Sequence, residues 1–383
     1  MIRIFYVIDH LDLGGVEHRL LRLITGLDPQ HFLIAVCPLY SGRALENDYR
    51  AHTTVFDIHR HGKYDLTCVG RLARVMARFR PHLVHTWQAE SNVLGVCAAR
   101  VARVPVIITS VTSVRPPAER PPRRRRLLRH LRRALAPWTD LTVSNTMAGC
   151  RHMAESGRQS RTGCRVVYNG VPRTLCQAPP AAQLAQLREA IGLHPGVPVI
   201  GTVGRLVEEK DHRSLLHALR LLRDADIATQ TVIVGDGILR DDLATLAHAL
   251  QLDDTIFFTG ARHDVPHLLH LFDLFVLPSH QEGLSNTLLE AMAAGRPTVA
   301  SALEGTREVI THGVHGLLVP PRDPSRLAAG LRHLLHDGDY ARLLATNGQT
   351  LVHERFTVER MAQEMAQHYR AQLALKGIAV ERS

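Results

Sequence analysis

Two carboxylates, Glu282 and Glu290, stand eight residues apart in the run SHQEGLSNTLLEAMAAGRPTVA, residues 279–300. The pattern predicts a loop carrying Glu282 and Gly283, then a helix that opens near Asn286 and carries Glu290. Gly295, Arg296 and Pro297 stop that helix ahead of a buried strand. A helix start offers free backbone N–H groups and partial positive charge to an anion such as a phosphate, and carboxylates accept hydrogen bonds from sugar hydroxyls. A sugar nucleotide has both kinds of group. Upstream, GTVGRLVEEKDH places Arg205 and Lys210 just after the apolar run VPVIGTV, where α/β proteins gather ligand groups outside the carboxyl ends of parallel strands. Five residues apart, the two cations diverge on a helix but can converge on a loop. Together they would stabilise charge growing on a departing diphosphate. A hydrolase pair fits poorly: retaining glycosidases hold their carboxyls ~5 Å apart, while eight helical residues span about 12 Å.

The Glu-x7-Glu spacing, with Gly283 after the first acid, resembles the retaining glycosyltransferases of family 4, which have the GT-B fold. The resemblance covers nearly the whole chain. The family's Gly-Arg-Leu then Glu-Lys motif corresponds to Gly204, Arg205 and Lys210, and TVIVGDGILRDDLATLAHAL and TIFFTGARHDVPHLLHLFDLFVLPS follow in the family's order. The resemblance implies Arg205, Lys210 and Glu282 as catalytic residues, Glu282 facing the donor sugar and Glu290 the ribose. It implies donor contacts at Gly14, Gly15, Gly204, Arg262, Gly283, Leu284, Ser285 and Asn286. Gly14 and Gly15, in HLDLGGVEHRL, form a turn suited to close backbone approach, but not the dinucleotide GxGxxG. Family members often carry His-x-His after a strand of the first domain, beside the reacting carbon. Here the text is His85-Thr86-Trp87, so the histidine's role is not transferred to His85. Trp87, Gln88, Glu90 and Ser91 are expected on the acceptor side, with Trp87 either stacking on sugar or filling core.

These residues need a frame that brings them to sheet edges. In the first half RIFYVI, FLIAVC, HLVHTW, PVIITS and LTVSN alternate with helical patterns near 16–26 and 90–102; the second half repeats the alternation from VPVIGTV onward. Such alternation predicts parallel sheets built of βαβ units. The fold expected is α/β, GT-B, with two doubly wound Rossmann-like domains facing a cleft. The expected domains are residues 1–173 on the acceptor side and 174–357 for the nucleotide sugar, split at the proline- and alanine-rich stretch RTLCQAPPAAQLAQLREAIGLHPGVP. The resemblance adds that the C-terminal helix, within 358–383, packs back on the first domain. Asn169 and Gly170, in VVYNGVP, read as a turn before the linker.

The 383 residues suit two domains, and 45% hydrophobic against 21% charged residues describe a globular protein. No apolar run approaches the ~20 residues of a membrane span, and IFYVI is too short for a signal core, so a cytoplasmic location is expected. Six cysteines show no CxxC pairing and read as scattered reduced thiols. No cofactor and no metal are expected: Asp224 with Asp226 and Asp337 with Asp339 fall at helix ends away from the motifs. Of the net charge of +10, a local +8 lies in Arg115 to Arg133, RPPAERPPRRRRLLRHLRR. With Leu127, Leu128, Leu131 and Leu135 at helical spacing, this segment reads as docking on an anionic membrane, peripheral on its inner face, or else as a solvated face. Nucleic acid is not expected as a partner, for want of a recognition motif. The partners expected are a nucleotide-sugar donor, UDP-sugar before GDP-sugar, and a glycan or lipid-linked acceptor in surface polysaccharide synthesis. A sugar-nucleotide epimerase of the same fold and a silent GT-B scaffold are the alternatives.

Overall fold

The structure, a computed structural model, describes residues 1–62, 65–111, 123–155 and 160–378. The chain divides into two compact units, one formed by Met1–Gly170 with Val358–Ser383 and the other by Val171–Thr357.

In the first unit the strands β1 (Ile2–His10), β2 (Phe32–Tyr40), β3 (Thr54–Val55), β4 (Leu83–Trp87), β5 (Val106–Val111), β6 (Leu141–Ser144) and β7 (Cys164–Val166) form one parallel sheet. Their order is β3-β2-β1-β4-β5-β6-β7. Strand β1 shows why helices must cover both faces: Ile2, Ile4, Tyr6 and Ile8 enter one core, Phe5 and Val7 the other. Leu20, Leu23 and Ile24 of the helix Gly15–Gly26 cover the first face, and Leu72, Met76 and Val96 belong to the second. The helix Val358–Leu375, last among the described residues, adds Met361, Met365, Tyr369 and Leu373 to the first face. Each such burial contributes about 1.5–3 kcal/mol, which ties a segment from the far end of the sequence to this unit.

The second unit holds β8 (Val199–Val203), β9 (Gln230–Val234), β10 (Ile256–Gly260), β11 (Leu274–Leu277), β12 (Thr298–Ser301) and β13 (Leu317–Val319), all parallel. The order β10-β9-β8-β11-β12-β13 reverses direction between β8 and β11, as the first sheet does between β1 and β4. At such a switch the loops leaving neighbouring strands splay to opposite faces and open a crevice at the carboxyl edge.

The cysteine expectation is corrected at one pair. Cys150 and Cys164 form a disulfide, with Cα atoms 5.5 Å apart. The helix Met147–Glu155 packs against β7 and brings the two thiols together, a meeting that no local spacing rule can register. Cys37, Cys68, Cys97 and Cys176 are free thiols. No described helix is long and apolar enough to cross a membrane.

Candidate functional site

Three loops and one helix start meet at the carboxyl edge of the second sheet. Beyond β8 the chain forms a single 3-10 turn, Glu208–Lys210. Asp211 then adopts a left-handed φ of 50° and caps the helix His212–Asp224, its carboxylate accepting from Ser214 N at 3.3 Å and Ser214 Oγ at 2.8 Å. Beyond β11, Ser285 caps the helix Asn286–Ala293 by accepting from Leu288 N at 3.4 Å. The two loops are stitched together: the Glu209 carbonyl accepts from His280 N at 3.1 Å and Gln281 N at 3.3 Å, and the Val203 carbonyl from Thr287 Oγ1 at 3.2 Å.

This stitching sets Lys210 Nζ in direct contact with Glu282 Oε2, each side chain less than one-fifth exposed. Arg205 is exposed on the same loop and makes no ion pair among the described residues. Glu290 is buried in the capped helix, and Gly283, Leu284 and Ser285 are buried ahead of a half-buried Asn286. Gly204 donates its N–H to the Val234 carbonyl at 2.9 Å, tying the Arg205 loop to β9. Arg262, after β10, is held by Asp264 through Nε at 2.7 Å and Nη2 at 2.6 Å. That guanidinium lowers the Asp264 carboxyl below its usual range.

Some supporting residues are not evident from sequence. A Cβ on Gly235, whose φ is +137°, would lie 1.9 Å from the Gly204 carbonyl oxygen, and one on Gly305 would lie 2.1 Å from that of Gly283. Both glycines let backbone press against the motif loops from behind. Ser279 Oγ, His212 Nδ1 and His280 Nδ1 are buried without a protein partner beside these loops, leaving hydrogen-bonding capacity at the edge. Burial, and then the Lys210 charge, lower the His212 imidazole to about 4, so it is neutral at physiological pH. Among the described residues no group of three or more His, Cys, Asp or Glu is placed to hold a metal ion.

In the first unit Gly14 precedes the helix Gly15–Gly26, at the end of β1. The expectation that Trp87 lines an acceptor surface is corrected: its side chain is fully buried, with the Arg19 guanidinium 5.0 Å from its ring centroid. Trp87 is the last residue of a central strand, and the first helix closes over it. Glu90 is also buried, accepting from Arg60 Nη1 at 2.8 Å and the Tyr40 hydroxyl at 3.1 Å. His85 bonds Tyr369 Oη at 2.7 Å through Nδ1 and Ser110 Oγ at 2.8 Å through Nε2. Burial and Arg19 push its imidazole well below its ordinary value, and it belongs to the core.

Of the basic segment, Arg115 to Pro122 lie outside the described residues. The rest forms the helix Arg123–Leu135, on which Leu127 and Leu131 are exposed while Leu128 and Leu135 turn inward. The exposed Trp138 follows directly.

The second unit thus combines two cations, two acids and a capped helix start at one sheet edge, a set that can bind an anion and hydroxyls together. Similarity to known proteins agrees. The family described as Glycosyl transferases group 1 matches residues 185–351, and Glycosyltransferase Family 4 matches residues 13–175. An uncharacterised glycosyltransferase of Methanocaldococcus jannaschii is 30% identical over 216 residues, 56% of this chain and 55% of its own length. The alpha-D-kanosaminyltransferase of Streptomyces kanamyceticus is 33% identical over 191 residues, 49% of each. The chain therefore spans about half the length of these curated relatives. The crystal structure of Anabaena HepE in complex with UDP-glucose superposes with a TM-score of 0.85 at 22% identity, covering 97% of this chain and all of that one, a likeness of fold.

Proposed function

Because the chain belongs to the family 4, group 1 glycosyltransferases and has the two-sheet α/β architecture of GT-B proteins, we propose that it moves a sugar from a nucleotide diphosphate sugar to a hydroxyl. The reaction is a retaining one without a metal ion. The bond from anomeric carbon to phosphate oxygen breaks, the acceptor oxygen bonds on the same face, and the departing phosphate oxygen takes the hydroxyl proton. Arg205 and Lys210 stabilise the charge growing on the diphosphate. Glu282 accepts from the donor sugar's hydroxyls while holding Lys210, and Glu290 accepts from the ribose. Gly204, Arg262, Gly283, Leu284, Ser285 and Asn286 complete the donor contacts in the second unit.

The observation that carries this reading is the Lys210–Glu282 contact beside the capped helix. It is a preset cation on the loop bonded to the one that leads into the capped helix, and preset charge costs no reorganisation as the leaving group departs. A UDP-sugar is the first choice of donor and a GDP-sugar the second. The UDP-glucose held by HepE supports that order. The acceptor is a glycan or lipid-linked sugar of surface polysaccharide synthesis, met at the inner face of the membrane. The exposed Leu127 and Leu131 beside Arg126, Arg129 and Arg133 support docking on an anionic leaflet.

Calorimetric titration with UDP, GDP and ADP in EDTA tests the reading. Binding of one nucleotide, and not the other two, is expected without metal. Binding of none would make a silent scaffold the better account.

A further inference from the structure

In the second unit one thiol is paired with an imidazole that the proposed reaction does not use. The 3-10 turn Arg173–Cys176 lies near the start of that unit and the helix Gly338–Arg355 near its end. Cys176 Sγ is 2.6 Å from His353 Nε2, the nearer of the two ring nitrogens, across 177 residues of sequence. Packing and backbone fix this meeting from both sides. Leu175, beside the cysteine, is buried, and its carbonyl accepts from His270 Nε2 at 3.0 Å; Val352, beside the histidine, is buried too. The two segments are also tied through their backbones, Val171 N donating to the Phe356 carbonyl at 2.9 Å. Cys176 and His353 themselves both stay partly exposed, so a small reagent can reach the pair.

The other free thiols lack this arrangement. Cys37 and Cys68 are buried. Cys97 is half-buried like Cys176, but among the described residues no imidazole is bonded to it. Burial raises both half-buried thiols above their ordinary value, opposed at Cys176 by the Arg173 charge. Each therefore rests as a thiol at neutral pH. The thiolate is the nucleophile, so such a thiol reacts when a neighbouring base takes its proton during the attack, as in a Cys–His pair. Cys176 has that base within bonding reach, and Cys97 does not.

We infer that Cys176 is a covalent modification site that takes up a small disulfide, with His353 as the base that receives the thiol's proton. As Sγ attacks one sulfur of the reagent, its proton passes to His353 Nε2. The bond from Sγ to that sulfur forms, the reagent's own S–S bond breaks, and the departing thiolate takes the proton from the imidazole. A mixed disulfide and one free thiol result. Cys176 is oxidised at the expense of the reagent's disulfide, and no other oxidant enters. The inference does not depend on the proposed transferase reading.

The test incubates the folded full chain, its Cys150–Cys164 bridge intact, with oxidised glutathione at neutral pH and follows each cysteine by peptide mapping and mass spectrometry. Cys176 is expected to form the mixed disulfide first, on the order of 10²-fold faster than Cys97, the usual range for a positioned base. His353→Gln is expected to slow Cys176 by a similar factor and to leave the Cys97 rate as it was, which also shows that the variant is folded. The direction separates the two roles open to the imidazole: a histidine that merely covered the thiol would, once removed, let Cys176 react faster. Cys97 reacting as fast as Cys176 in wild type, or Cys176 reacting at the wild-type rate or faster in His353→Gln, overturns the inference. If the substitution unfolds the chain, the comparison of Cys176 with Cys97 in wild type decides alone.

Discussion

Lys210 and Glu282, 72 residues apart in sequence, touch through ammonium and carboxylate at the edge of the second sheet. The contact depends on backbone more than on the two side chains. The Glu209 carbonyl bonds both His280 and Gln281 N–H groups, so the loop bearing the base and the loop bearing the acid move as one. Arg205, on the same loop, is exposed.

If the proposed reaction holds, Lys210→Ala removes a preset cation from its leaving-group side and is expected to lower kcat roughly 10²–10³-fold, the range for deleting one transition-state donor. Glu282→Gln leaves the ammonium in place but unaimed and should fall between Lys210→Ala and wild type. Release of UDP from a UDP-sugar reads both, and equal rates for Lys210→Ala and wild type would exclude the role.

Glu290 is buried inside the capped helix and is proposed to bind ribose. Glu290→Ala is expected to weaken nucleotide binding about tenfold to a hundredfold, the loss of hydrogen bonds to a charged group. Its thermal unfolding should change less than that loss implies. Calorimetry with the preferred nucleotide, alongside a melting curve, separates the two.

The disulfide predicts a thiol count. Alkylation of the denatured, unreduced protein should modify four of the six cysteines, and all six after reduction. Closing a loop of this length, with a separation of 14 residues, is worth about 3 kcal/mol through the unfolded chain. Cys150→Ser should therefore lower the melting temperature of the first unit by several degrees.

Acid should loosen the second unit through His212. In the unfolded chain its imidazole takes up a proton near the ordinary value of 6.5, and in the fold only near 4. The unfolded state binds more protons between those values, so stability is complete above the upper one. It falls as pH drops through the window, by about 1.4 kcal/mol per pH unit for one group. His212→Gln should flatten that slope in chemical denaturation between pH 6.5 and 4.

The basic helix offers a salt-sensitive readout. Each arginine near an anionic surface is worth about 1 kcal/mol, so replacing Arg126, Arg129 and Arg133 with alanine should weaken binding to vesicles containing phosphatidylserine by roughly a hundredfold. Wild type should be released as ionic strength rises. Equal sedimentation of wild type and variant with those vesicles would exclude docking through this helix.

Much of the fold is legible because long apolar runs such as IRIFYVI and VPVIGTV can hardly be anything but buried parallel strands. Strands β3 and β7, of two and three residues, are too short to carry a period and do not stand out. Glu282, Lys210 and a helix start near Asn286 are readable from type and spacing, while the Ser285 cap emerges only in the structure. The glycines behind them, Gly235 and Gly305, are not, because what they accommodate is backbone from elsewhere in the chain. Trp87 stays open between core and acceptor side in the sequence for a related reason: its place at the end of a strand says edge, while Arg19, from another element, closes over it. The Cys150–Cys164 bridge is of the same kind, visible only once a helix is laid against β7.

Tyr369, near the end of the chain, shares a hydroxyl contact of 3.0 Å with Tyr6 and bonds His85. During synthesis, then, the first 170 residues emerge from the ribosome lacking part of their own core, while residues 171–357 form a contiguous unit. The second unit can close as soon as it has emerged. The first must wait, with the apolar face of β1 covered only in part, until the helix Val358–Leu375 is made. Biosynthetic order and folding order are thereby inverted for the amino-terminal half. That interval, when unsatisfied strand surface is on show, is when chaperones matter most to this chain.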